Sequence, residues 1–269
     1  MSTLTDIIAA TRRRVQECRS NGNLAELERR AESQVPRGFR RKLESASKSG
    51  IAVVAELKKR SPSRGLIRSN FDPAALAREL EQAGAAALSV LTDEEFFSGS
   101  LANLRTASAI TQLPCLRKDF IIDELQIVEA RANCADAILL ITAALSQEQL
   151  VALSKCAAEF QLDVLCEVHD EEELGRALDA GCDLIGVNSR DLRSFKVDLG
   201  TAFRVAEILP HDVVAVAESG IESGGDIARL RSAGYDAFLI GESLMRVDSA
   251  GEALTTLISE AKTAAASAP

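Results

Sequence analysis

Residues 163–188 read DVLCEVHDEEELGRALDAGCDLIGVN and hold one complete repeat of the chain's organisation. An apolar run, DVLCEV, ends in polar residues, and Asp170 with Glu173 then has the spacing of a capping box. Leu174, Ala177 and Leu178 follow at helical period, and Ala180-Gly181 puts a glycine where a helix stops in the left-handed conformation, just before the next run, DLIGVN. Runs this continuously apolar suit strands covered on both faces, the condition of a parallel sheet with helical crossovers.

The same unit recurs outward from this stretch. From Ile51 onward, apolar runs begin near positions 51, 86, 114, 136, 163, 183, 213 and 236, reading IAVVAELK, AALSVLT, PCLRKDF, DAILLIT, DVLCEVH, DLIGVNS, VVAVAES and AFLIGES. Between them, Asp72 before Pro73 is an N-cap followed by proline at the first helical position, and Leu76, Leu80 and Ala83 share one face. Ser146 and Gln149 have capping-box spacing, and the Ala-Gly join returns at Ala83-Gly84 and Ala233-Gly234. Eight such units, with no GxGxxG after the first strand, predict a single closed (β/α)8 barrel rather than an open doubly wound sheet. The barrel is expected over residues 49–265. Residues 1–48, with the basic TRRRV segment, the SNGN break and VPRGFRRKLESASKSG, predict an N-terminal extension of two helices packed on it. A plug at the N-terminal end of the barrel and a lid at its catalytic end both fit that segment.

Composition narrows the partners. In 269 residues, 31 Lys+Arg against 40 Asp+Glu give a net charge of -9, which disfavours nucleic acid and anionic membrane and leaves room for a small anion in a local basic pocket. The start, MSTLTDIIAATRRR, lacks an apolar signal core, and no apolar run approaches the roughly 20 residues of a membrane span, so a cytoplasmic location is expected. Six cysteines (Cys18, Cys115, Cys134, Cys156, Cys166, Cys182) are dispersed without a CxxC, and only His169 and His211 supply imidazole. No metal is expected, and the cysteines read as small buried hydrophobes.

Barrel active sites gather at strand C-termini. There the sequence places Glu56 and Lys58, Lys118 and Asp119, Glu167 and His169, Asn188 and Arg190, and Glu218 and Ser219. Glu56 and Lys58 are two apart and project to the same side of their strand. Ser61-Pro62-Ser63-Arg64-Gly65 forms a loop suited to an anion. The strongest phosphate signal is the pair of loops after strands seven and eight, Ser219-Gly220-Ile221 and Gly241-Glu242-Ser243, where glycines admit an oxyanion to backbone N–H groups and a helix N-terminus adds a favourable field. Three functions fit such a site: acid–base catalysis on a sugar phosphate, Schiff-base chemistry at Lys58 or Lys118, and a phosphate-binding scaffold without catalysis.

The segments AELKKRSPS, SVLTDEEFFSGS, LRKDFIIDELQI, ADAILLI, LCEVHDEEEL, IGVNSRDL, AESGI and IGESLM resemble, in this order, the motifs of indole-3-glycerol-phosphate synthases, over about residues 51–246. Cys134 stands where glycine would be expected, and Cys166 where an aliphatic residue is usual. The resemblance implies conversion of 1-(2-carboxyphenylamino)-1-deoxyribulose 5-phosphate to indole-3-glycerol phosphate, carbon dioxide and water in tryptophan biosynthesis, without metal or organic cofactor. It implies Lys118 as general acid, Glu167 as general acid/base, and Lys58 as the cation on the substrate carboxylate. Glu56, Asn188 and Glu218 orient these groups or bind hydroxyls. Ser61, Ser219, Gly220, Gly241, Glu242 and Ser243 fall in phosphate loops, Arg190 lies by the polar chain, and Phe97 and Phe120 pack on the aromatic ring.

Overall fold

A computed structural model describes residues 4–21, 23–192 and 194–266. Eight strands close into a parallel barrel: Ala52–Leu57, Ala87–Leu91, Cys115–Lys118, Ala137–Ile141, Asp163–Val168, Leu184–Asn188, Val214–Glu218 and Ala237–Ile240. Each pairs with its neighbour in sequence, and the first and eighth complete the ring through Ala52↔Ala237 to Ala55↔Ile240. Every strand begins within a residue of its sequence-derived start.

Alternation along each strand sorts side chains into two compartments. Ala52, Val54, Leu116, Leu139, Leu165, Leu184, Val214, Val216 and Leu239 fill the barrel interior, whereas Val53, Ala55, Leu57, Leu88, Val90, Ile138, Cys166 and Ile185 pack beneath the helices. Cys166 thus lies in the apolar layer outside the barrel, beside Thr142, where a small thiol substitutes for an aliphatic side chain.

The helix signals act as expected, with one exception. Asp72 accepts from the amides of Ala74 and Ala75, Ser146 and Gln149 form a full capping box, and Gly84, Gly181 and Gly234 end their helices at positive φ. Cys134 also has a positive φ of 66°, which accounts for glycine as the natural choice at that helix end. At Asp170–Glu173 only half of the box forms. Asp170 accepts from the Glu173 amide, but the Glu173 carboxylate turns to His169 instead of returning to the cap.

The extension contains three helices rather than two: α1 (Leu4–Asn21), α2 (Leu24–Ser33) and α3 (Phe39–Ser49). The VPRG stretch separates the last pair; its proline and its left-handed Gly38 interrupt what periodicity joined. These helices reach both ends of the barrel. Phe39 and Leu43 of α3 are fully buried against Ala52, Ala87 and Ala137 and plug the N-terminal end. α1 crosses to the other end, where Arg14 meets Asp93 at 2.8 Å and Asp119 at 3.5 Å and Leu4 and Ile7 face the mouth. No described helix is long and apolar enough to cross a membrane.

Candidate active site

The residues that end the inward-facing rows are polar because the row reaches the open end of the barrel. Val54 is followed inward by Glu56, Leu116 by Lys118, Leu165 by Glu167, Gly186 by Asn188, and Val216 by Glu218. Together they floor a cavity of about 460 Å³. The fifteen residues to which the family resemblance gives roles line it, namely Glu56, Lys58, Ser61, Phe97, Lys118, Phe120, Glu167, Asn188, Arg190, Glu218, Ser219, Gly220, Gly241, Glu242 and Ser243, whereas His169 and Gly65 stand outside the lining.

Lys118 is the hub of the floor. Its Nζ donates to Glu167 Oε2 at 2.9 Å and to Glu218 Oε2 at 2.6 Å. Burial works against the ammonium, but the two carboxylates outweigh it and push the lysine well above its ordinary range. A neutral, nucleophilic Lys118 is therefore disfavoured, which removes the basis for Schiff-base chemistry there. The carboxylates differ from each other. Burial raises Glu167, yet Lys118 and His169 pull it far below the usual carboxylate range. Burial and the neighbouring Glu167 dominate at Glu218 despite Lys118, and lift it to about 7. Two acids on one lysine are thus shifted in opposite directions, an arrangement that suits different proton tasks.

Lys58 pairs with Glu56 at the edge of the same floor. Beneath Lys118, a buried network fixes its strand: Thr92 donates to Asp119 at 2.7 Å, and Arg117 joins Asp119 at 3.0 Å and Glu129 at 2.8 Å. Asp119 is fully desolvated, yet Arg117 and Arg14 hold it below its ordinary value.

The rim opposite is formed by the turns after the seventh and eighth strands. Ser219 and Gly220 are consecutive left-handed residues, with φ of 64° and 78°, so their turn exposes backbone toward the cavity. Gly241 precedes the short helix Glu242–Met245. Arg64 lies 3.1 Å and Arg190 3.4 Å from the Glu242 carboxylate, and Arg246 pairs with it as well. Arg246, one helical turn beyond Glu242, carried no motif and was not found from sequence. Phe97 and Phe120 pack with centroids 6.2 Å apart and ring planes tilted by 38°, and form an aromatic wall. Leu4 and Ile7 of α1 complete the lining, a contribution invisible to local pattern. Among the described residues no group of three or more His, Cys, Asp or Glu side chains is arranged to hold a metal ion.

Solved structures with low sequence identity share the fold. A thiamine phosphate pyrophosphorylase from Pyrococcus furiosus superposes with a TM-score of 0.61 at 18% identity, covering 84% of this chain and 99% of that one. A mandelate oxidase variant gives 0.61 at 19% identity, covering 80% and 73%. Sequence relatives speak to function. The chain is 58% identical to an indole-3-glycerol phosphate synthase of Koribacter versatilis (strain Ellin345), over 96% of this chain and 99% of that protein. It is 47% identical to that of Desulfotalea psychrophila (strain LSv54 / DSM 12343), with the same coverage. The family model for indole-3-glycerol phosphate synthase matches residues 4–257, and the chain belongs to that family of carboxy-lyases.

Proposed function

We propose that the cavity binds 1-(2-carboxyphenylamino)-1-deoxyribulose 5-phosphate and converts it to indole-3-glycerol phosphate, carbon dioxide and water. The observation that carries this reading is the ammonium of Lys118 held between Glu167 and Glu218, facing a cavity whose rim supplies exposed backbone and three arginines. The phosphate sits at the Ser219-Gly220 and Gly241-Ser243 turns with Ser61 nearby, the anthranilate ring lies toward Phe97 and Phe120, and Lys58 takes its carboxylate. Arg190 and Asn188 hold the polar chain between them.

Anchored this way, the ring carbon bearing the carboxylate attacks the ketose carbonyl while Lys118 gives the carbonyl oxygen a proton. Loss of carbon dioxide restores aromaticity; an acid then protonates the new hydroxyl, which leaves as water while the adjacent CH2 gives a proton to a base, completing the indole. The neighbouring acids gain from the first step. Once Lys118 has surrendered its proton, the positive charge that depressed Glu167 is gone, so its proton affinity rises when a base is next required. Glu218 and Glu56 steer Lys118 and Lys58 and bind hydroxyls. The reaction belongs to tryptophan biosynthesis and is expected to proceed in the cytoplasm without a membrane or nucleic-acid partner.

Incubating chelator-treated protein with the ribulotide, and following indole fluorescence together with carbon dioxide release, tests this reading. Both signals should rise in step. Tight binding without either product would return the protein to the class of phosphate-binding scaffolds.

A further inference from the structure

His169 lies two residues beyond Glu167 on the same strand end, and its ring is sandwiched between two carboxylates. Nδ1 is 2.9 Å from Oε2 of Glu173, which also accepts the His169 backbone amide at 2.9 Å. Nε2 faces Oε1 of Glu167 at 3.4 Å. It is buried and has no aligned hydrogen-bond partner. Ionised carboxylates only accept, and a neutral imidazole carries one N–H, so a neutral ring would turn a lone pair against one of the two. Only the imidazolium presents N–H to both. Burial opposes that charge, but Glu167 and Glu173 outweigh it and raise the group to about 10.

The diverted capping box now has a reason. Glu173 occupies the position from which it would normally return to the helix N-cap, yet it binds the histidine instead. The outcome is a row of alternating acidic and basic side chains, Glu173, His169, Glu167, Lys118 and Glu218, running from the first turn of a surface helix to the centre of the cavity floor.

We propose that His169, kept as an imidazolium by Glu173, is a positioning residue that holds one oxygen of Glu167 and aims the other at Lys118. It sets how readily Glu167 takes a proton after Lys118 has given one up. Glu167 is thereby cradled by two cations, of which only the lysine changes charge during the reaction. This inference rests on the acid–base role of Glu167 proposed above.

Nitrogen-detected NMR of the intact enzyme at pH 8 tests the charge state. The chain has two histidines, and a His211→Asn variant assigns the signals. Two protonated ring nitrogens at His169 are expected, and a neutral tautomer would overturn the proposal. In turnover, His169→Asn should lower kcat on the order of tenfold to a hundredfold, as loss of an orienting outer contact does elsewhere, with KM within about twofold. The acid limb of the kcat–pH profile should move to higher pH, because removing a cation lets Glu167 hold its proton more tightly. Glu173→Gln should move that limb in the same direction by less. A fall in kcat matched by lost thermal stability with the limb unmoved would show a packing role only. Normal product formation by Glu167→Gln would instead sink the underlying reading, while leaving the NMR result to stand alone.

Discussion

Gly186 and Glu218 occupy the same space on the inner wall of the barrel. They sit on adjacent strands, where Asn188 pairs with Glu218 and Gly186 lies one inward step below. A β-carbon on Gly186 would overlap Oε1 of Glu218. The missing side chain therefore leaves the recess into which the Glu218 carboxylate folds. Across the ladder Gly186 is level with Glu167 on one side and Val216 on the other, and a side chain at position 186 would push Glu218 toward the cavity.

Gly186→Ala should fold, since the atom displaced is the tip of a flexible side chain. It should nonetheless lower kcat by about 10- to 100-fold, the cost typical of a misplacement near 1 Å, with KM changed little. Glu218→Asp in the same chain shortens the acid and should recover part of the loss. A double variant no better than Gly186→Ala alone would show that the recess does not set the carboxylate.

The phosphate turn makes a second prediction, for a reason different from the one sequence suggests. From sequence, glycine at 220 reads as the gap that admits an oxyanion to backbone N–H groups. In the structure Gly220 has φ 78°, and a β-carbon there would come within 2.6 Å of Val197 Cγ1 and 3.2 Å of Leu199 Cδ2. Gly220→Val should thus force the Ser219-Gly220 turn out of shape and raise KM about tenfold or more, with a smaller effect on kcat. Steady-state kinetics with an unchanged KM would remove this turn from phosphate binding.

Strands were legible because the positions along them are apolar until the mouth is reached, with exceptions such as Ser89 and Arg117, so a short run and its polar end mark both element and site. The ends supplied Glu56, Lys118, Glu167, Asn188 and Glu218 directly. What escaped depends on contacts remote in sequence. Nothing local shows that Arg14 reaches Asp93, 79 residues on, and brings α1 to the mouth. Nor does a capping-box spacing reveal that Glu173 will prefer an imidazole to its own helix. The resemblance placed residues in roles, but the opposite proton affinities of Glu167 and Glu218 follow only from burial and from which neighbours each carboxylate meets.

Cys134 offers a test of backbone rather than chemistry. A non-glycine residue held at φ 66° bears a steric cost, and the thiol's compensation is one contact with Gln34 Oε1 at 3.4 Å. Cys134→Gly should raise stability by roughly 0.5–1 kcal/mol, the steric relief being partly offset by glycine's greater freedom when unfolded. Denaturant midpoints read the change. A lower midpoint would mean that the sulfur contact outweighs the strain.

Lys118→Met keeps most of the side-chain length and removes the proton donor. Ring closure should slow by 10²–10⁴-fold or so, the range for a positioned acid, while the ribulotide still binds through its phosphate. Glu167→Gln should instead allow closure and stall a later step, visible in single-turnover traces as carbon dioxide released ahead of indole. Near-normal closure in Lys118→Met would pass the acid role to Lys58, the other ammonium on the cavity floor.

Glu218 links the site to stability through pH. Burial, first, and the nearby Glu167 raise it to about 7 from an ordinary value of 4.5, against the pull of Lys118. The folded state therefore binds this proton more tightly than the unfolded chain. The sign follows: folding carries no penalty from Glu218 below pH 4.5, gains one as pH rises from there toward 7, and bears it in full above. Glu218→Gln deletes the titration while leaving Lys118 its bond to Glu167. The variant's melting temperature relative to the parent should accordingly be higher at pH 8 than at pH 5, by about 2 °C or more for a barrel of this size, even as turnover falls. Such a gain is the mark of a carboxylate kept for chemistry at the expense of stability. Thermal unfolding of both proteins at the two pH values decides it; a difference equal at both, or larger at pH 5, would mean that Glu218 is held as a settled anion by Lys118 and that the two acids do not divide their tasks.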